Sequence, residues 1–206
     1  MDFVPWLQVL LVCTLGAMSP GPSLAVVLRN TVRGGKMQGV LTGIGHGLGI
    51  YLYAGLVVTG LVVALNAVPQ LEQYVTLFGI ALLVWLAAKF MGLRFSSKNV
   101  EIENKEITGH SGFVTGFLIA FLNPKIAAFF LAVFTPFLHT DSSNLEKATL
   151  ALTAGTVDTI WYVLVALVLS GSAVTQFLEK YSTMIERAMG VLLLFLAGGL
   201  VYRLQF

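Results

Sequence analysis

The chain has 206 residues, of which 57% are hydrophobic and only 11% charged, with a net charge of +2 and a mean hydropathy of +0.87. Ordinary soluble domains carry about 25% charged residues, so this composition excludes them. So small a net charge, without basic clusters interleaved with aromatics, gives no footprint for nucleic acid, and the single cysteine, Cys13, leaves neither a disulfide nor a cysteine metal site within one chain.

Apolar segments predict six membrane spans, at about 4–28, 38–65, 70–92, 112–138, 146–170 and 184–204. The first is expected to be retained, because Asp2 stands where a signal peptide is positive and the apolar run continues to Leu28 without a cleavage pattern. Within it lies Ser19-Pro20-Gly21-Pro22-Ser23. Proline removes a backbone donor and clashes with the preceding turn, so the helix is expected to break there. The connection 29–37 carries Arg29, Arg33 and Lys36. The second span opens with glycines at positions 39, 43, 45, 47 and 49 around His46, followed by Tyr51 and Tyr53. Glycine at this density favours close backbone approach, either to a neighbouring helix or across a homodimer.

After the third span, residues 93–111 hold Arg94, Lys98, Glu101, Glu103, Lys105, Glu106 and His110, which predicts a solvated loop. The fourth span is interrupted by Asn123-Pro124-Lys125, and the fifth carries Asp158, Trp161 and Tyr162. Lys and Arg concentrate in the first, third and fifth connections, which places polar loops 29–37 and 93–111 in the cytoplasm and both termini outside.

The two halves share an order: a broken span, a polar connection, a span with small residues near its start, then a third apolar span. We therefore expect an all-α membrane protein built as two three-helix repeats, residues 1–92 and 112–206, joined by the loop 93–111. Three spans per repeat is odd, so the second repeat runs inverted. Gly21-Pro22 and Asn123-Pro124 each place an acceptable N-cap before a proline at the first helical position. Each following half-helix then begins at membrane depth with free N–H groups and its positive dipole end facing the break, a setting that favours a carboxylate.

Met18-Ser19-Pro20-Gly21-Pro22, the Gly34-Gly35-Lys36 connection leading into the glycine-rich second span, and Leu122-Asn123-Pro124-Lys125 followed by Phe129-Phe130 resemble the lysine-exporter superfamily, and within it the homoserine/threonine efflux branch. The fourth span ends in Thr135-Pro136-Phe137 where that family has a Pro-Gln-Phe-like end. The resemblance implies a multi-pass protein of the bacterial inner membrane that exports amino acids in exchange for protons, without a cofactor.

Three ionisable groups fall inside predicted spans: His46, Lys125 and Asp158. A Lys or Asp at a helix centre costs about 2.5–3.5 kcal/mol on insertion scales, so such groups face the bundle interior and find partners. For Lys125 the expected partners are a substrate carboxylate and Asp158, in alternation. Ser19, Pro20, Gly21, Pro22, Asn123, Pro124 and Lys125 are thus the expected substrate-binding set, with Asp158 and His46 as proton carriers and Tyr51 and Trp161 as cavity lining. Efflux of a metal cation or another small metabolite is the alternative within transport. A membrane enzyme ranks lower: His46, His110 and His139 show no metal-ligand spacing, and no serine has a recognisable base.

Overall fold

The computed structural model describes residues 3–19, 21–68, 71–92, 111–168 and 172–205. The helices are α1 (Phe3–Met18), α2 (Pro22–Ala67), α3 (Leu71–Phe90), α4 (Ser111–Phe121), α5 (Pro124–Phe134), α6 (Asn144–Val168) and α7 (Ser172–Gln205), with a 3-10 turn at Thr135–Phe137 after α5. Pro20 and nearly all of the expected loop 93–111 lie outside the described residues.

The protein is an all-α membrane protein. Four stretches are long and apolar enough to cross a bilayer: α2, α3, α6 and residues Thr183–Tyr202 of α7; α4 and α5, bent by 55° at their junction, form a fifth as a pair. α2 has 46 residues, about 70 Å of helix, more than twice the roughly 30 Å of hydrocarbon. It is not straight, because Gly35 sits at φ 81°, ψ 170°, a backbone state that favours glycine. α1, with 16 residues, is a shorter apolar helix, and the arm of α2 before Gly35, residues 22–34, follows it after the first break.

This corrects the expectation that 29–37 is a loop. Helix persists through the charged residues and turns only at Gly35. The reason is local. Asn30, fully buried, donates from Nδ2 to Thr42 Oγ1 at 2.9 Å and so ties the two arms together. Thr31 returns its hydroxyl to the Val27 carbonyl. The fifth connection differs similarly, since Lys180, Glu186 and Arg187 all lie on α7, which begins well before residue 184. α6 starts with a reciprocal cap: the Ser143 N–H donates to Glu146 Oε2 at 2.9 Å, and the Glu146 N–H donates to Ser143 Oγ at 3.2 Å.

The contacts between helices keep their pattern when the halves are exchanged. α2 packs on α6, and α3 on α7; α2 against α4 is answered by α6 against α1, and α3 also meets α5 while α7 meets α1. The glycines of α2 make the central seam, and they do so within one chain. A Cβ on Gly39, Gly43 or Gly47 would meet Ala166, Tyr162 or Thr159 of α6, while one on Gly45 or Gly49 would meet Phe113 or Ala120 of α4. α4 responds with Gly112 and Gly116, which lie against Gln38 and Thr42.

Because the backbones themselves touch, a methyl group has nowhere to go. Gly45→Ala, against the Phe113 carbonyl, and Gly116→Ala, against the Thr42 carbonyl, are expected to cost about 1–3 kcal/mol each by overpacking. Gly55→Ala, with open space around its Cβ, is expected to stay within about 0.5 kcal/mol. Thermal unfolding of the detergent-purified variants reads the difference.

Candidate functional site

The first break begins where α1 ends. The Ser19 N–H still bonds the Leu15 carbonyl at 2.9 Å, and then the chain opens. Gly21 is the N-cap of α2 in an extended conformation, and Pro22 takes the first helical position. Glycine has no side chain to cap with, so the N–H groups of the next turn have no side-chain cap. The second break is built differently. Asn123 caps α5 with its own side chain, Oδ1 accepting from the Lys125 N–H at 2.9 Å. The two half-helix ends, expected to be equivalent, are therefore one open end and one self-capped end.

Lys125 compensates at the second break by supplying charge from its side chain. Its Nζ reaches the first break, where a Cβ built on Gly21 would lie 3.9 Å from it. It also stands over the Phe90 ring, 5.1 Å from the centroid, a cation–π contact. Its other electrostatic neighbours are Glu186 and Lys89. An uncapped helix N-terminus beside an ammonium group makes a positive pole.

The negative partner is elsewhere. Asp158 is buried, and its Oδ2 lies 2.7 Å from Nδ1 of His46, which is 1% exposed. With the proton on Nδ1, His46 donates to the carboxylate. The expected Lys125–Asp158 pair is thus replaced by a His46–Asp158 pair. The geometry explains the exchange. Gly43 and Gly47 bring α2 against Tyr162 and Thr159, both within the turn of α6 that follows Asp158, so His46, between the two glycines, meets Asp158. Tyr162, one turn beyond Asp158, sets its ring edge-on to His46 with centroids 4.7 Å apart.

One cavity of about 80 Å³ joins these elements, with room for several water-sized groups. Ser19, Gly21, Pro22, Asn123, Lys125, His46 and Asp158 all line it. Pro124 does not, and Pro20 lies outside the described residues. Tyr51 and Trp161 do not line it either. Tyr51 packs on Gly155, and Trp161 leans on the small cluster of Leu24, Val27, Tyr162, Val165 and Ala166. The cavity's aromatic side chains are instead Tyr162, Phe90, Phe129 and Phe130. Tyr162 had a usable sequence signal, its four-residue spacing from Asp158, which puts both on one helix face. Cys13 also lines the cavity. Two buried polar atoms in this wall, Ser19 Oγ and His46 Nε2, have no protein partner among the described residues.

A second, larger cavity of about 800 Å³ lies at the far end of α5, with Glu72, Gln73, Thr135 and His139 in its wall. On α5, Lys125, Ile126, Phe129 and Phe130 line the first cavity, and Thr135, just after α5, lines the second. The fully buried Phe134 fills the interval, its ring 5.1 Å from that of Phe130.

A broken-helix membrane protein with a polar pocket at its breaks is the architecture of a secondary transporter. Residues 14–204 match the LysE type translocator family, and the chain belongs to that family. It is 28% identical to an uncharacterized membrane protein, YahN, of Escherichia coli K12, over 89% of this chain and 83% of that protein. It is 26% identical to an uncharacterized membrane protein of Haemophilus influenzae over 95% of each chain. It is 24% identical to the leucine efflux protein of an Enterobacter species, over 87% of this chain and 85% of that one. No solved structure matches the chain.

The two alternative partners of Asp158 make different predictions. A double-mutant cycle for stability across His46→Gln and Asp158→Asn is expected to show coupling of about 1–3 kcal/mol. The same cycle across Lys125→Ala and Asp158→Asn is expected to stay below about 0.5 kcal/mol. Reversal of that order would restore the lysine pairing.

Proposed function

We propose that the protein exports a neutral amino acid across a bacterial inner membrane in exchange for protons. The observation that carries this reading is the convergence of both helix breaks, Lys125 and the His46–Asp158 pair on one cavity. A zwitterion needs two opposite charges at fixed separation, and this cavity offers them. The positive pole at Gly21–Ser23 and Lys125 takes the carboxylate. Asp158 takes the ammonium.

Proton coupling follows from charge balance. In the empty cavity the pair holds one proton beyond that of a neutral imidazole, shared between His46 Nδ1 and Asp158 Oδ2, and is neutral overall. The arriving ammonium competes with that proton for the same carboxylate. A loaded site holds Asp158 ionised against the ammonium and His46 neutral. An unloaded site holds the proton instead. Substrate leaving and proton arriving are then one exchange, and return of the proton-loaded site resets the carrier. Burial strengthens the competition, because an ionised carboxylate in a dry cavity without a partner is costly.

Access alternates about the cavity. Phe130 and Phe134 form the barrier toward the second cavity, which we read as the outer vestibule. The Gly35 turn and the 93–111 stretch lie on the cytoplasmic side, and both termini lie outside. We read residues 1–92 and 112–206 as inverted repeats, a reading supported by the contact pattern that survives their exchange. The described cavity is completed by one chain, so a second copy is not needed to build it.

The branch suggested by the sequence motifs carries threonine and homoserine, whereas the relatives named for an activity are leucine efflux proteins. Their shared chemistry is a neutral α-amino acid. Metal-cation efflux is disfavoured by Lys125, whose charge repels a divalent ion from the same cavity. Among the described residues no group of three His, Cys, Asp or Glu could hold one.

The test uses liposomes loaded with a labelled neutral amino acid and diluted into acid buffer. The wild type is expected to release label faster than at equal pH. Asp158→Asn is expected to lose that acceleration. An undiminished response to the gradient in Asp158→Asn would remove this residue from proton coupling.

A further inference from the structure

We infer that Phe129, seated edge-on against Gly16, sets the size of a subsite for the substrate's side chain, and that this subsite takes an uncharged aliphatic group. The inference rests on the reading above, that the cavity binds an amino acid by its charged ends.

Most of the polar wall is assigned, with Ser19 Oγ and His46 Nε2 left without a protein partner among the described residues. Lys125 and the start of α2 take the carboxylate, and Asp158, bonded to His46, takes the ammonium. Asn123 spends its side-chain oxygen on the Lys125 N–H. The rest of the wall is Ile50, Leu86, Phe90, Ile126, Phe129 and Phe130, with small residues between them. It contains no second carboxylate, so a side-chain ammonium would enter without a counter-charge. An aliphatic side chain loses nothing and gains burial.

Size is decided where α1 meets α5. The tip of the Phe129 ring lies 2.9 Å from where a Cβ on Gly16 would sit, with the next two ring atoms at 3.4 and 3.5 Å. The ring edge therefore rests on bare backbone. Phe130 crosses it at 75°, centroids 5.3 Å apart, and limits its retreat along α5. A methyl group at position 16 would both occupy the pocket and lift the ring off α1. Removal of the ring would open the pocket by the volume of a phenyl group. In a cavity of only about 80 Å³, either change is felt by the occupant.

The experiment is counterflow in liposomes containing the purified protein, with leucine, valine, alanine, threonine, lysine and phenylalanine as competitors. In the wild type, leucine is expected to compete at least about 10-fold better than alanine, the discrimination a methylene or two provides in an apolar pocket. Lysine should not compete. Gly16→Ala should reduce the leucine-to-alanine preference about 10-fold, and Phe129→Ala should admit phenylalanine. The preference is a ratio within one vesicle preparation, so it does not depend on how much protein is active. If Gly16→Ala does not fold, Phe129→Ala alone decides. Equal competition by lysine and leucine, or a preference unmoved by Phe129→Ala, would overturn the inference while leaving an amino-acid exporter in place. Exchange of no amino acid by the wild type would instead overturn the proposed function.

Discussion

A helix that stops inside a bilayer leaves backbone donors where no water can reach them, and this constraint organises the structure. The chain stops twice, after Met18 and after Phe121, and each stop is followed by proline at or next to the helix start. Backbone in that condition is tolerated only around a polar cavity or under protein cover. Here both breaks line the same cavity. The surrounding helices are arranged so that this can happen. Glycine seams let α2 sit directly on α4 and α6, which brings His46 within hydrogen-bond range of Asp158 in the same wall.

The two breaks divide the work unequally. Gly21 gives α2 an uncapped start in an extended conformation that would suit any residue. Lys125 Nζ comes to ordinary contact distance, 3.9 Å, from where a Cβ there would lie. Asn123 satisfies its own helix and frees Lys125 to serve its neighbour's end. An ammonium near the N-terminus of its own helix is electrostatically unfavourable. The long, flexible stem carries the charge away from α5 and over the Phe90 ring. Positive charge thus gathers on one side of the cavity, while the acid is held by histidine on another.

Much of this was legible in the sequence because prolines and buried charges are costly in lipid. Five of the six expected spans, both breaks and the intramembrane residues His46, Lys125 and Asp158 could be named from those costs alone. Pairing was not legible. Asp158 has no spacing relation to His46, 112 residues away, and the more obvious opposite charge was Lys125. Only the glycine contacts of α2 with α6 decide between them. The connection around Arg29 to Lys36 misled for a related reason. Charges signal exposure, yet exposure does not require a loop, and the Asn30–Thr42 bond holds helix on both sides of Gly35. Aromatic neighbours were ambiguous by one residue: Trp161 and Tyr162 differ by about 100° around the helix, and it is Tyr162 that faces inward with Asp158.

The meeting of the two breaks can be measured without transport. With Cys13 replaced by Ser and a thiol placed by Gly21→Cys, a short reagent that joins a thiol to an amine should link position 21 to the native Lys125 within one chain, seen as a single crosslinked peptide pair by mass spectrometry. Absence of that pair while position 21 still reacts with a simple maleimide, or a link from position 21 to Lys89 instead, would contradict a shared cavity at the two helix breaks.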